Sequence, residues 1–179
     1  MKKTISIYGG GWVGAPLAFK LALADFDVLV SASTVHQQAA HPKIKVLDFR
    51  AEPAMPAENW SAINDSEVQI WAIPPRRKKN AEETYLAILQ DWVDNLPVGS
   101  AKKLIFLSST SVYSNVSDTV DENSAINEDS LMAQAEAIVS SSKVPSLILR
   151  LAGLMGGDRF VGKYFSGKRN DGANCSSVD

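Results

Sequence analysis

The chain of 179 residues is long enough for one α/β domain and too short for two large ones. Its hydrophobic content of 45% is ordinary for a globular protein, and a formal charge of −2 gives no electrostatic case for nucleic acid or an anionic membrane. The lone cysteine, Cys175, excludes an intramolecular disulfide and a cysteine-based metal cluster, and His36 and His41 have no ligand-like spacing, so no metal is expected.

In chain order, short apolar runs at 4–8, 27–32, 43–48, 67–73, 103–109 and 146–151 predict six buried strands, rich in Ile, Val, Leu and Phe. Helical patterns lie between them. Residues 13–24 are apolar nearly all round, with Pro16 tolerable in a first turn. Residues 81–96 carry Tyr85, Ile88, Leu89, Trp92, Val93 and Leu96 at spacings of three and four. Residues 129–140 begin beside Glu128 and Asp129, where a helix dipole favours acids. Strands alternating with helices predict a single-domain α/β fold, a doubly wound Rossmann-type parallel sheet with helices on both faces. The stretch 50–60, punctuated by Pro53 and Pro56, reads as a surface connection, and the acidic 114–127 as a loop. The small, polar residues 171–179 are expected to be poorly ordered, which leaves 1–170 as the domain. No apolar run approaches the ~20 residues of a membrane span. The basic start turns into glycines too soon for a secretory leader, so the chain reads as cytoplasmic.

The first strand runs directly into Gly9-x-Gly11-x-x-Gly14 and then into a helix. That order is the context in which this spacing indicates a dinucleotide site. Gly9 makes the tight turn, Gly11 lets the backbone approach a pyrophosphate, and Gly14 lets the helix pack closely on the strand. The phosphates would sit on N–H groups at the helix start, which nominates Gly9, Gly10, Gly11, Trp12, Val13 and Gly14.

Ligands of such a sheet bind at the carboxyl ends of its strands. The second strand ends at Ser31-Ala32-Ser33-Thr34, where an acid would clasp the ribose 2′-hydroxyl of NAD. No acid stands there, and Asp27 comes too early. The small hydroxyl residues Ser33 and Thr34 leave room for a 2′-phosphate, so the cofactor, NAD(P), leans toward NADP. Asp48, ending the third strand, could accept from the adenine amino group. Ile73 and Pro74, ending the fourth, flank the expected cofactor path. Arg76, Arg77, Lys78 and Lys79 follow, either as a solvated helix start or as a phosphate clamp.

The fifth strand ends at Ser108-Ser109-Thr110-Ser111-Val112-Tyr113, and a late segment reads Arg150-Leu151-Ala152-Gly153 and on through Gly156-Gly157-Asp158-Arg159. With the glycine motif, these segments resemble the extended short-chain dehydrogenase/reductase family, the NAD-dependent epimerase/dehydratase group. The resemblance implies an active-site hydroxyl at Ser109, with Thr110 the fallback, hydrogen-bonding a substrate oxygen. It also implies a Tyr-x-x-x-Lys pair as general acid/base, but residues 129–138 contain neither a Tyr nor a Lys. Tyr164-x-x-x-Lys168 falls after the sixth strand and reads as coincidence, and Tyr113 has Ser117 four residues on. The pattern is similar to atypical members that keep the cofactor fold without that pair. Extended members also carry a C-terminal substrate domain, most of which this length cannot hold. The expectation is an NAD(P)-binding, oxidoreductase- or epimerase-like protein acting on an unidentified small molecule. The alternatives are a non-catalytic sensor or regulatory module, and a shortened fragment without function. Apolar surface left uncovered by the missing domain would favour a homodimer.

Overall fold

The computed structural model describes residues 4–32, 41–64, 66–75, 81–97, 99–114, 119–156 and 159–160. Six strands form one parallel sheet: β1 (Thr4–Tyr8), β2 (Asp27–Ala32), β3 (Ile44–Asp48), β4 (Val68–Trp71), β5 (Lys103–Ser109) and β6 (Ser146–Leu151). Their order is β3-β2-β1-β4-β5-β6, the doubly wound arrangement with its switch point between β1 and β4. The helices are α1 (Gly14–Leu23), α2 (Ala57–Asn64), α3 (Ala81–Asp94) and α4 (Leu131–Ser140).

The strand pleat divides the core. Ile5 and Ile7 point to one face, with Val28, Val30 and Ile70, and bury Ala18 and Ala22 of α1. Tyr8 points to the other face, joining Trp71, Leu104 and Phe106 of the neighbouring strands with Trp60 of α2, Trp92 of α3 and Ala135 of α4. Small residues on α1 let it lie close to the sheet, whereas aromatic bulk fills the opposite side. The Tyr8 ring stacks on Trp71 at 5.4 Å, and Trp71 meets Trp92 at 4.9 Å.

This aromatic core contains amides, and they are satisfied. Gln69, fully buried on β4, accepts from Trp92 Nε1 at 3.1 Å and from the Tyr8 hydroxyl at 3.0 Å. Its own Nε2 donates to the Asn64 carbonyl at 3.0 Å, and Asn64 Nδ2 donates to the Asn95 carbonyl at 2.7 Å. The network ties α2 and α3 to the central strands, and a lost partner would cost about 1–3 kcal/mol.

The stretch read as a surface connection is corrected. Only its first part is a loop; Ala57 begins α2, and Trp60 and Ile63 are fully buried. The prolines punctuate the approach to the helix, not its interior. The fourth strand is shorter than expected and ends at Trp71, although the Ala72 N–H still donates to the Tyr8 carbonyl at 2.8 Å. The third helix ends at Asp94 and not at residue 96. The fourth helix begins at Leu131, after its cap Ser130, whose hydroxyl accepts from the Ala133 N–H at 3.3 Å.

Candidate functional site

At the switch point the glycine motif forms the turn from β1 into α1. Gly9 has φ +99°, and a Cβ there would meet the Ala72 backbone and Ile73 Cγ1 at 3.0 Å, so a side chain is excluded twice. A Cβ on Gly14 would lie 2.0 Å from the Gly9 carbonyl oxygen, because the first helical turn sits directly on the loop. At Gly11 a Cβ would meet nothing within 4 Å. That position therefore opens onto empty space, and nothing in the protein's own packing requires its glycine.

Ser31, buried at the end of β2, holds the loop from the side. Its hydroxyl accepts from the Gly9 N–H at 2.9 Å, and its carbonyl accepts from the Gly10 N–H at 2.6 Å. These two N–H groups therefore face β2. In the first turn of α1 the Ala15 and Leu17 N–H groups donate to the Gly11 and Val13 carbonyls and Pro16 has none, which leaves Gly11, Val13 and Gly14 as the donors nearest an external acceptor. No side chain caps that turn at Val13. A buried strand-end serine at this point tethers the loop and does not face a ribose.

Beyond β4, the Ile73 carbonyl accepts from Trp71 Nε1 at 3.2 Å and from the Tyr85 hydroxyl at 3.0 Å, which fixes Ile73 against Gly9. Ile73 and Pro74 line a cavity of about 320 Å³ with Ala51, Pro53 and Tyr85. Asp48 ends β3, exposed and in register with Ala32, and lines neither this cavity nor the one at β5. Ser33, Thr34, the four cations 76–79, Ser117, Tyr164, Lys168 and the tail 171–179 lie outside the described residues.

The second cavity, about 780 Å³, opens at the carboxyl ends of β5 and β6. Ser109, Thr110, Tyr113, Asn127 and Gly153 are among the residues that line it. Ser109 Oγ accepts from the Ser111 N–H at 3.1 Å, capping the 3-10 turn Thr110–Val112, and its own proton stays available to a ligand.

Under this cavity lies a charged network that sequence reasoning missed. Glu136 of α4, almost buried, takes the Ser108 hydroxyl at 2.5 Å and the Arg150 guanidinium at 2.9 Å through NH2 and 3.1 Å through Nε. Arg150 NH1 donates to the Tyr113 hydroxyl at 3.0 Å and to the Glu122 carbonyl at 3.3 Å. Hydrogen bonding to Glu136, and then to Tyr113, holds the Arg150 pKa above its ordinary value. The only acid inside α4 is therefore paired with Arg150, and Tyr113 joins Ser109 and Thr110 at the cavity wall. A single glutamate in an otherwise bland helix gave no signal, since such residues are usually solvated.

Among the described residues no group of three or more metal-ligating side chains occurs, and no helix is long and apolar enough to cross a membrane.

No family model matches the sequence. Protein YeeZ of Escherichia coli K12 is 33% identical over 175 residues, covering 93% of this chain, and this chain spans 64% of that relative's length. The Bordetella bronchiseptica enzyme WbmH in complex with NAD+ superposes with a TM-score of 0.73 at 14% identity, over 90% of this chain and 59% of its own. UDP-glucuronic acid 4-epimerase from Bacillus cereus in complex with NAD gives 0.68 at 17%, over 86% and 57%. The chain is thus a homologue of YeeZ with the fold of the NAD-dependent epimerase/dehydratase group of extended short-chain dehydrogenase/reductases.

Proposed function

We propose that the chain binds a nicotinamide dinucleotide along the carboxyl edge of its sheet and serves an epimerase- or oxidoreductase-like reaction on a small molecule. The observation that carries this reading is the glycine turn at the switch point. Gly9 and Gly14 are required by the protein's own packing, whereas Gly11 leaves its backbone open to the close approach of a pyrophosphate. The N–H groups of Gly11, Val13 and Gly14 would take the pyrophosphate, and Ile73 and Pro74 would border the path toward the adenine side. The two NAD-bound neighbours support the cofactor class. A nicotinamide dinucleotide supplies reversible hydride transfer. The chain itself would hold a substrate oxygen with Ser109, Thr110 as the fallback, and Tyr113 at the same cavity wall.

The lack of a Tyr or Lys on α4, together with the pairing of its Glu136, favours a second reading, a binding module without turnover. NADH and NADPH titration followed by a panel of carbonyls and nucleotide sugars separates the two. The enzyme reading expects binding and a turnover that Ser109→Ala lowers by about 10²-fold or more. Binding without turnover favours the module, and no binding of either dinucleotide ends both.

We further propose that the chain associates with itself through β6. Leu147 and Leu149, two residues apart on one face of this edge strand, are 42% and 38% exposed. Sedimentation is expected to show a dimer; a monodisperse monomer at high concentration contradicts it.

A further inference from the structure

Arg159 lies far along the chain from the glycine turn, yet its guanidinium carbon sits 4.2 Å from the centre of the Trp12 ring. Trp12 belongs to the turn between β1 and α1, while the chain reaching Arg159 leaves β6. Three strand spacings, about 14 Å, separate β6 from β1. The chain must therefore run back across the carboxyl ends of β5 and β4. It ends in a tight pairing in which the Gly156 and Arg159 N–H groups donate to each other's carbonyls at 2.8 and 2.9 Å. Gly156 adopts φ +139°, which a side chain would strain.

We infer that Arg159 is a pyrophosphate-binding residue, delivered to the glycine turn by this returning segment and held there by Trp12. The inference rests on the dinucleotide reading above. The cation–π contact with Trp12 uses none of the guanidinium N–H donors as conventional hydrogen bonds, so they stay available to phosphate oxygens. Among the described residues no carboxylate pairs with Arg159 and no hydrogen bond uses its side chain. It stands at a turn whose neighbouring helix start is uncapped and whose Gly11 is open to solvent. The ligand class this selects is a nucleoside diphosphate. Trp12 then acts as a platform for the cation, a role for which its position in the glycine motif gives no hint in sequence.

The test is calorimetric titration of the full chain with NADH, ADP-ribose and adenosine at two salt concentrations. ADP-ribose isolates the diphosphate from both the nicotinamide and any 2′-phosphate. Arg159→Ala is expected to weaken ADP-ribose and NADH about ten-fold, leave adenosine unchanged and flatten the salt dependence. Arg159→Lys is expected to recover part of the loss, because it restores the charge without the planar fork. Equal ADP-ribose affinity in wild type and Arg159→Ala overturns the inference, as does an equal loss for adenosine. Failure of the wild type to bind NADH or ADP-ribose instead overturns the dinucleotide reading on which it rests.

Discussion

Gly11 and Gly14 stand three residues apart in one motif and are predicted to fail in opposite ways. Gly14→Ala forces a Cβ to 2.0 Å from the Gly9 carbonyl, so the turn must move. A loss of about 3 kcal/mol is expected in urea unfolding. Gly11→Val meets no protein atom, so stability should change by less than about 1 kcal/mol while dinucleotide affinity falls at least about ten-fold. Unchanged affinity in Gly11→Val would count against the cradle. Glu136 offers a third residue-level case. Glu136→Ala leaves the partly exposed Arg150 guanidinium without its bidentate partner. A loss of about 1–3 kcal/mol is expected, and no measurable loss would mean that solvent replaces the pair fully.

At the scale of elements, α2 separates what the sequence displays from what packing decides. The ends of β1, β2, β5 and β6 were legible because branched apolar runs stop abruptly at polar or glycine residues. The helix at Ala57–Asn64 was hidden by Pro53 and Pro56 and by having only Trp60 and Ile63 as deeply buried anchors. Its place is set by the aromatic layer it completes, a tertiary cause that local pattern does not carry. Trp60→Ala is therefore expected to cost about 3–5 kcal/mol, as for a core residue, whereas a surface connection would lose almost nothing. The site shows the same division. The glycine turn and the strand-end hydroxyls Ser109 and Thr110 were legible because their spacing is local. Tyr113, Arg150 and Arg159 stood out only as motif letters and Glu136 not at all, because their contacts come from neighbours that only the crossovers bring close.

At the scale of the whole molecule, one sheet divides its two faces between a tight aliphatic side and an aromatic side with buried amides. This predicts a pH limit. Burial raises the pKa of both Tyr8 and Tyr85 above the ordinary tyrosine value near 10. The folded chain then keeps protons that the unfolded chain releases, so their contribution is complete below about pH 10 and is lost as pH rises above it. Thermal denaturation from pH 7 to 11 should show the loss, with a shallower alkaline slope in Tyr8→Phe. An unchanged slope would mean that the Tyr8 phenol is reached by solvent. Among the described residues, concavities lie at the ends of β4 and of β5–β6, along the same edge as the glycine turn. The central claim is that this edge holds a nicotinamide dinucleotide. The most direct measurement is a crystal structure grown with NADH. Density for the diphosphate over residues 11–14, with the adenosine toward Ile73 and Pro74, is the predicted result. An ordered, ligand-free turn at saturating NADH, or a dinucleotide bound away from Gly11, would contradict it.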